Sequence, residues 1–160
     1  VNKQKLEKIH IEKELLNIIN LFNINNVRYK KNKDIDLSKL EIDVDKSHLT
    51  RIINNLVNNS LQAARKQAAI QIIIQIERVH KLNLEYCLIK IADNGTGISK
   101  SAQDKIFEPN FTTKNSGMGL GLAMIKKIID DLNGFIEYQT QINVGTQFYI
   151  YIPMKLDSKI

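Results

Sequence analysis

Residues 70–92 constrain the fold more than any other stretch. Ile70, Ile72, Ile74 and Ile76 alternate with mostly polar neighbours, so one side of an extended strand meets a core and the other meets water. After His80-Lys81-Leu82-Asn83 a second extended run follows, Leu84 to Ala92, and the two read as a β-hairpin. A sheet that is apolar on one face needs a cover, and helical periodicities elsewhere supply it. Leu15, Ile18, Ile19 and Phe22 predict a helix over 3–23, and Leu49, Ile52, Ile53 and Leu56 predict one over 46–65, capped by Asp45 or Ser47. A third helix runs from about Leu120 to Leu132 and stops at Asn133-Gly134. Further strands are expected at 27–29, 40–44, 135–140 and 146–152, with a short helix capped by Ser99. The sum is an α+β chain, a two-layer sandwich whose mostly antiparallel sheet is covered by helices.

Composition narrows the class. The 160 residues suit one domain, and 43% apolar with 25% charged residues excludes a disordered chain or a collagen. The single Cys87 excludes an internal disulfide and a cysteine-rich metal site, and fits a reducing compartment. No apolar run reaches the roughly 20 residues of a membrane span, and no signal peptide opens the chain. A net charge of +6 suits an anionic partner without choosing one. The positive charges are scattered with no aromatic stacking platform among them, which argues against nucleic acid.

Three stretches carry chemistry. In Asn54-Asn55-Leu56-Val57-Asn58-Asn59, Asn55 and Asn59 stand four apart and share a helical face, beside a core-directed face that includes Ser60. Two amide oxygens at fixed separation make half a site for a hard cation such as Mg²⁺, although in an asparagine-rich chain they also read as a solvated helix edge. In Asp93-Asn94-Gly95-Thr96-Gly97, Asp93 keeps the parity of Ile89 and Ile91 and so points toward the core, where a carboxylate needs donors. The exocyclic amine of a purine would be one. Taken alone, this stretch is better read as a plain strand-to-turn connection. Gly117-Met118-Gly119-Leu120-Gly121-Leu122 opens a helix, exposing backbone N–H groups at the positive end of its dipole, as phosphate binding or a flexible loop would require. No Gly-Lys-Ser/Thr follows, and the spacing is not that of the dinucleotide fingerprint.

In order, these pieces are an asparagine helix, Asp-x-Gly-x-Gly, Phe107-Glu108-Pro109, then Thr112-Thr113-Lys114, G-x-G-x-G, and Gly145-Thr146-Gln147-Phe148. That order resembles the catalytic ATP-binding domain of sensor histidine kinases, within the GHKL superfamily, over roughly Ile35 to Pro153. The resemblance implies a mixed sheet of about five strands with about three helices on one face. It implies ATP and Mg²⁺ as ligands, with Asn55 and Asn59 holding the metal and Asp93 accepting from the adenine amine. Gly95 and Gly97 would shape the purine pocket, Thr146 would support Asp93, and Phe107 would anchor a lid. Thr112, Thr113 and Lys114 would close over the triphosphate, Lys114 meeting the γ-phosphate. The backbone of Gly117, Met118, Gly119, Leu120, Gly121 and Leu122 would wrap the phosphates.

This chain departs from the family's pattern at Asn110, often aromatic, at Met118, more commonly Thr, and at Gln62 and Ala63, where many relatives carry a basic residue and a tyrosine. Arg65 is a candidate to replace the missing phosphate contact. The gyrase, chaperone and mismatch-repair branches resemble one another in placing a Glu base four residues before the metal-binding Asn. Here that position is Asn55, and an amide cannot take up a proton, so phosphoryl transfer is favoured over water attack. The anti-sigma serine kinases lack the long lid pattern.

The implied acceptor is a histidine on a separate dimerising hairpin. His10, His48 and His80 lack that motif's setting, and His10 reads as a solvated helix residue. The expected organisation is residues 1–8 as a remnant of an upstream helical domain, 9–153 as the catalytic domain and 154–160 as a tail. A response regulator would be an indirect partner. The domain would be cytoplasmic, with any membrane anchor in a missing N-terminal part. The alternative is a nucleotide-binding module without transferase activity.

Overall fold

In a computed structural model the described residues are 5–22, 25–109 and 121–154. The chain runs β1 (Glu7–His10), α1 (Ile11–Leu21), β2 (Val27–Tyr29), β3 (Glu41–Val44), α2 (Lys46–Gln62), β4 (Ile72–Lys81) and β5 (Leu84–Asp93). It continues through α3 (Lys100–Gln103), α4 (Gly121–Asp131), β6 (Phe135–Gln141) and β7 (Gly145–Pro153). Five strands form a mixed sheet in the order β2-β4-β5-β7-β6, with β2 parallel to β4 and the other neighbours antiparallel.

The β4–β5 hairpin is the centre of this sheet, as the isoleucine alternation predicts. Ile72, Ile74 and Ile76 are fully buried, and so are Cys87, Ile89 and Ile91 across the ladder. The hairpin turns tightly at Leu82 and Asn83, both with positive φ (52° and 62°), the geometry whose twist matches that of the strands. Leu15 and Ile18 of α1, Leu49, Ile52, Ile53 and Leu56 of α2, and Ile125 and Ile129 of α4 pack on one face of the sheet. Burial of these branched side chains is the main stabilising term of the fold.

The other face covers itself. Tyr86, Leu88 and Tyr151 are nearly buried there, Phe135 stacks on Tyr151 with centroids 4.3 Å apart, and the Lys81 ammonium lies over both of those rings. Cation–π contact and the aliphatic stem of Lys81 let a solvent-facing aromatic cluster persist without a second layer.

Several local expectations are corrected. The predicted helix over 3–23 begins only at Ile11, because residues 7–10 form β1, paired antiparallel with β3 in a separate two-stranded sheet. The 40–44 strand therefore lies outside the main sheet. His10 is not a solvated helix residue. It caps α1, its Nδ1 accepting the Lys13 N–H at 3.2 Å while Nε2 lies 2.6 Å from the Ser38 carbonyl. The predicted 46–65 helix ends at Gln62, which frees Arg65 for another task. Asp45 caps α2 as expected, accepting from the N–H and the hydroxyl of Ser47. Ser99 stands at the start of α3 without bonding the helix backbone, its hydroxyl 3.3 Å from that of Ser101. No helix among the described residues is long and apolar enough to cross a membrane.

Candidate functional site

A cavity of about 570 Å³ opens where α2, the loop after β5, α3, α4 and the β6–β7 turn converge. Its walls are apolar at Ile98, Ala102, Ile106, Leu122 and Phe148, and polar at Asn59, Ser60, Gln62, Asp93 and Thr146. An apolar slot with a few convergent polar groups suits a flat, partly polar ring.

Asp93 reaches the slot because it is the last residue of β5 and faces the core side, in register with Ile72 on β4 and Thr146 on β7. Its carboxylate is supplied with donors from three elements. Oδ1 accepts the N–H of Gly95 at 2.9 Å and of Thr146 at 3.2 Å, and Oδ2 accepts the Ser60 hydroxyl at 2.6 Å. An ionised carboxylate has about four acceptor sites, so these bonds fix its plane and leave capacity for one more donor. Thr146 is nearly buried, and its hydroxyl meets that of Thr140 at 2.9 Å. The Thr140 oxygen in turn accepts the Ile98 N–H, tying the loop to β6.

Two glycines allow these segments to touch. Gly97 has φ +75°, and a Cβ there would lie 2.5 Å from the Gln141 carbonyl oxygen. A Cβ on Gly145, at φ +144°, would overlap the carbonyl oxygen of Asp93. Any side chain at either position would push the β6–β7 turn off the loop.

The structure gathers several of the singled-out residues and separates others. Asp93, Gly97, Asn59, Leu122 and Thr146 border the cavity. Gly95 lies beneath it, bonded to Asp93. Asn55 lies outside the lining and faces the first residue of α4, its side-chain carbon 3.9 Å from where a Gly121 Cβ would be. The two amides thus stand between the cavity and the start of α4. Phe107 packs edge-on against Tyr138, centroids 6.1 Å apart, and so anchors the end of the 98–109 segment in the core. Asn110, Thr112, Thr113, Lys114, Gly117, Met118, Gly119 and Leu120 lie outside the described residues.

Arg65 is engaged by main-chain carbonyls. Its guanidinium donates to the carbonyls of Asn94 at 3.1 Å and Asn143 at 2.9 Å. Ser60, which sequence reasoning assigned only to a core-facing helix side, proves to be a direct partner of Asp93. A serine among isoleucines and leucines was the available signal, since a buried hydroxyl needs a partner. Burial raises the Tyr138 hydroxyl above its ordinary pKa, with the Asp104 carboxylate adding to it, and the Tyr138 hydroxyl donates to the Gln103 carbonyl. Amide oxygens are sound donors for a hard divalent cation, so Asn55 and Asn59 fit Mg²⁺. The described residues contain no group of three or more His, Cys, Asp or Glu that could hold a metal instead.

Residues 44–156 match the family described as histidine kinase-, DNA gyrase B- and HSP90-like ATPases. The chain is 30% identical over 159 residues to the sensor protein RprX of Bacteroides fragilis, covering 94% of this chain and 30% of that protein. It is 31% identical over 156 residues to the sensory histidine kinase/phosphatase NtrB of Escherichia coli O157:H7, covering 93% and 44%. It therefore spans less than half the length of these curated relatives. Among solved structures, the nucleotide-free catalytic domain of histidine kinase ThkA aligns with a TM-score of 0.75 at 26% identity, over 93% of this chain and 95% of that one. The carboxylate at the end of β5, the asparagine face of α2 and the glycine-tied turn thus occur in a chain that belongs to the histidine kinase-, gyrase B- and HSP90-like ATPase family, in the form of a histidine kinase ATP-binding catalytic domain.

Proposed function

We propose that this domain binds Mg²⁺-ATP and transfers the γ-phosphoryl group to a histidine on a dimerisation domain of the same parent protein. The observation that carries this reading is Asp93, a carboxylate held by three donors at the wall of an apolar slot. Its remaining acceptor capacity suits the exocyclic amine of adenine, while Ile98, Ala102, Ile106 and Phe148 enclose the ring faces. Asn55 and Asn59 hold the metal, which when bound neutralises developing charge on the phosphates. Thr112, Thr113 and Lys114 close over the triphosphate, and the backbone from Gly117 to Leu122 wraps it.

The bond between the γ-phosphorus and the bridging oxygen breaks, a phosphorus–nitrogen bond forms on the imidazole, and ADP leaves. Asn55 offers no base to activate water, whereas an imidazole held in line needs none. A response regulator receives the group from the histidine in a later step. The acceptor histidine lies on another domain of the parent protein, and this catalytic domain works in the cytoplasm.

The test is radiolabelled ATP with the chain alone, the parent's hairpin alone and the two together. Acid-labile label on the hairpin only in the mixture is the expected result. Steady ATP turnover by the chain alone points instead to an ATPase, and absence of label in the mixture to a binding module without transfer.

A further inference from the structure

Three segments far apart in sequence close into a ring beneath the Asp93 end of the cavity. They are the residues just past α2, the loop 93–97 and the turn between β6 and β7. The Thr96 N–H donates to the Ala63 carbonyl at 2.8 Å, and the Asn143 N–H donates to the Thr96 carbonyl at 2.9 Å. The Asn94 side chain is held as well, Oδ1 accepting the Gln71 N–H at 2.7 Å and Nδ2 donating to the Ala69 carbonyl at 3.2 Å. Half-buried Arg65 bridges the two segments that bear on Asp93. Its Nε–H donates to the carbonyl of Asn94, the next residue after Asp93, and its Nη1–H to that of Asn143, three residues before Thr146.

A planar fork reaches two carbonyls at once in fixed geometry, which a lysine ammonium on its flexible stem does not. The turn so held is unusual. Asn143 is left-handed at φ 60°, and Ile142 and Val144 are more than half exposed where turns are ordinarily polar. Ile142 and Asn143 border the cavity. An apolar side chain kept at the mouth of an apolar slot, on a turn bolted to the loop that carries the carboxylate, has the placement of a wall for a flat ring.

We propose that Arg65 is the positioning residue for the purine end of the site. It holds the 141–145 turn against the 93–97 loop, so that the Thr146 N–H stays on Asp93 and Ile142 stays beside the base. It does not contact phosphate. This inference rests on the nucleotide reading above.

The experiment titrates adenosine, Mg²⁺-ATP and Mg²⁺-GTP into the wild-type chain, Arg65→Ala and Arg65→Lys, with a thermal melt of each. Arg65→Ala is expected to weaken adenosine and ATP by the same factor, about tenfold or roughly 1.4 kcal/mol, and to narrow the preference for ATP over GTP. Arg65→Lys, which keeps the charge and loses the fork, is expected to weaken both equally by a smaller factor. It decides the matter if Arg65→Ala does not fold. Loss of ATP affinity with adenosine unchanged, restored by lysine, would make Arg65 a phosphate contact and overturn the proposal. A lowered melting temperature with unchanged affinities would make its role merely structural and overturn it too. Wild-type chain that binds neither ATP nor adenosine overturns the nucleotide reading itself, and the wild-type titration tells that failure apart.

Discussion

Replacing Ser60 by alanine removes one donor from Asp93 and little else. Ser60 is 2% exposed, and its hydroxyl donates to Oδ2 at 2.6 Å. A hydrogen bond to a charged group contributes about 1.5–3 kcal/mol net. In the empty site the lower end applies, because the cavity is open and water can take the place of the hydroxyl. Alanine recovers up to about 0.5 kcal/mol of helix propensity at this position in α2, so the folded domain should lose about 1 kcal/mol. That lowers the melting temperature by roughly 2–4 °C for a chain of this size. With a base in the slot, water no longer reaches Oδ2 and the missing donor is felt in full. ATP affinity should therefore fall by the difference between the two states, up to about 1.5 kcal/mol or roughly tenfold. Urea melts with and without nucleotide, set beside calorimetric titration, measure both. Unchanged ATP affinity in Ser60→Ala would refute the reasoning, since the backbone N–H groups alone would then orient Asp93.

Gly97→Ala should cost several kcal/mol, because it meets both a positive φ and the Gln141 carbonyl. A melting temperature within a degree of wild type would contradict it. Burial pushes the Cys87 thiol up to about 12, so it should resist alkylation in the folded chain and react only on unfolding, as timed labelling by mass spectrometry would reveal. The Ser47 hydroxyl first and the Lys5 N–H second push the exposed Asp45 carboxyl down to about 2, against an ordinary value near 4. A depressed carboxylate stabilises the fold above its unfolded pKa, and that contribution is lost as pH falls from about 4 to 2. Stability of Asp45→Asn should fall less steeply across that window, and parallel curves would contradict the assignment.

The sheet and the carboxylate were readable because they follow short-range rules. Period-two isoleucines announced β4, and the parity of Ile89 and Ile91 aimed Asp93 inward, as the ladder pairing with Thr146 confirms. What stayed hidden depends on partners distant in sequence. Residues 7–10 read as the start of a helix because nothing local marks them as the partner of a strand more than thirty residues on. Arg65 looked like a spare cation for phosphate. Its acceptors are carbonyls 29 and 78 residues away, and a carbonyl leaves no trace in side-chain pattern. Ser60 was half legible, since its face was evident and its partner, 33 residues on, was not.

The central claim is that Asp93 reads an adenine nucleotide. Calorimetric titration of Mg²⁺-ATP and Mg²⁺-GTP into the wild-type chain and Asp93→Ala tests it most directly. Wild type should bind ATP and discriminate against GTP. The variant should bind ATP about ten- to hundredfold more weakly, with the discrimination gone. ATP affinity unchanged by the substitution, or wild type that binds both nucleotides alike, would contradict it.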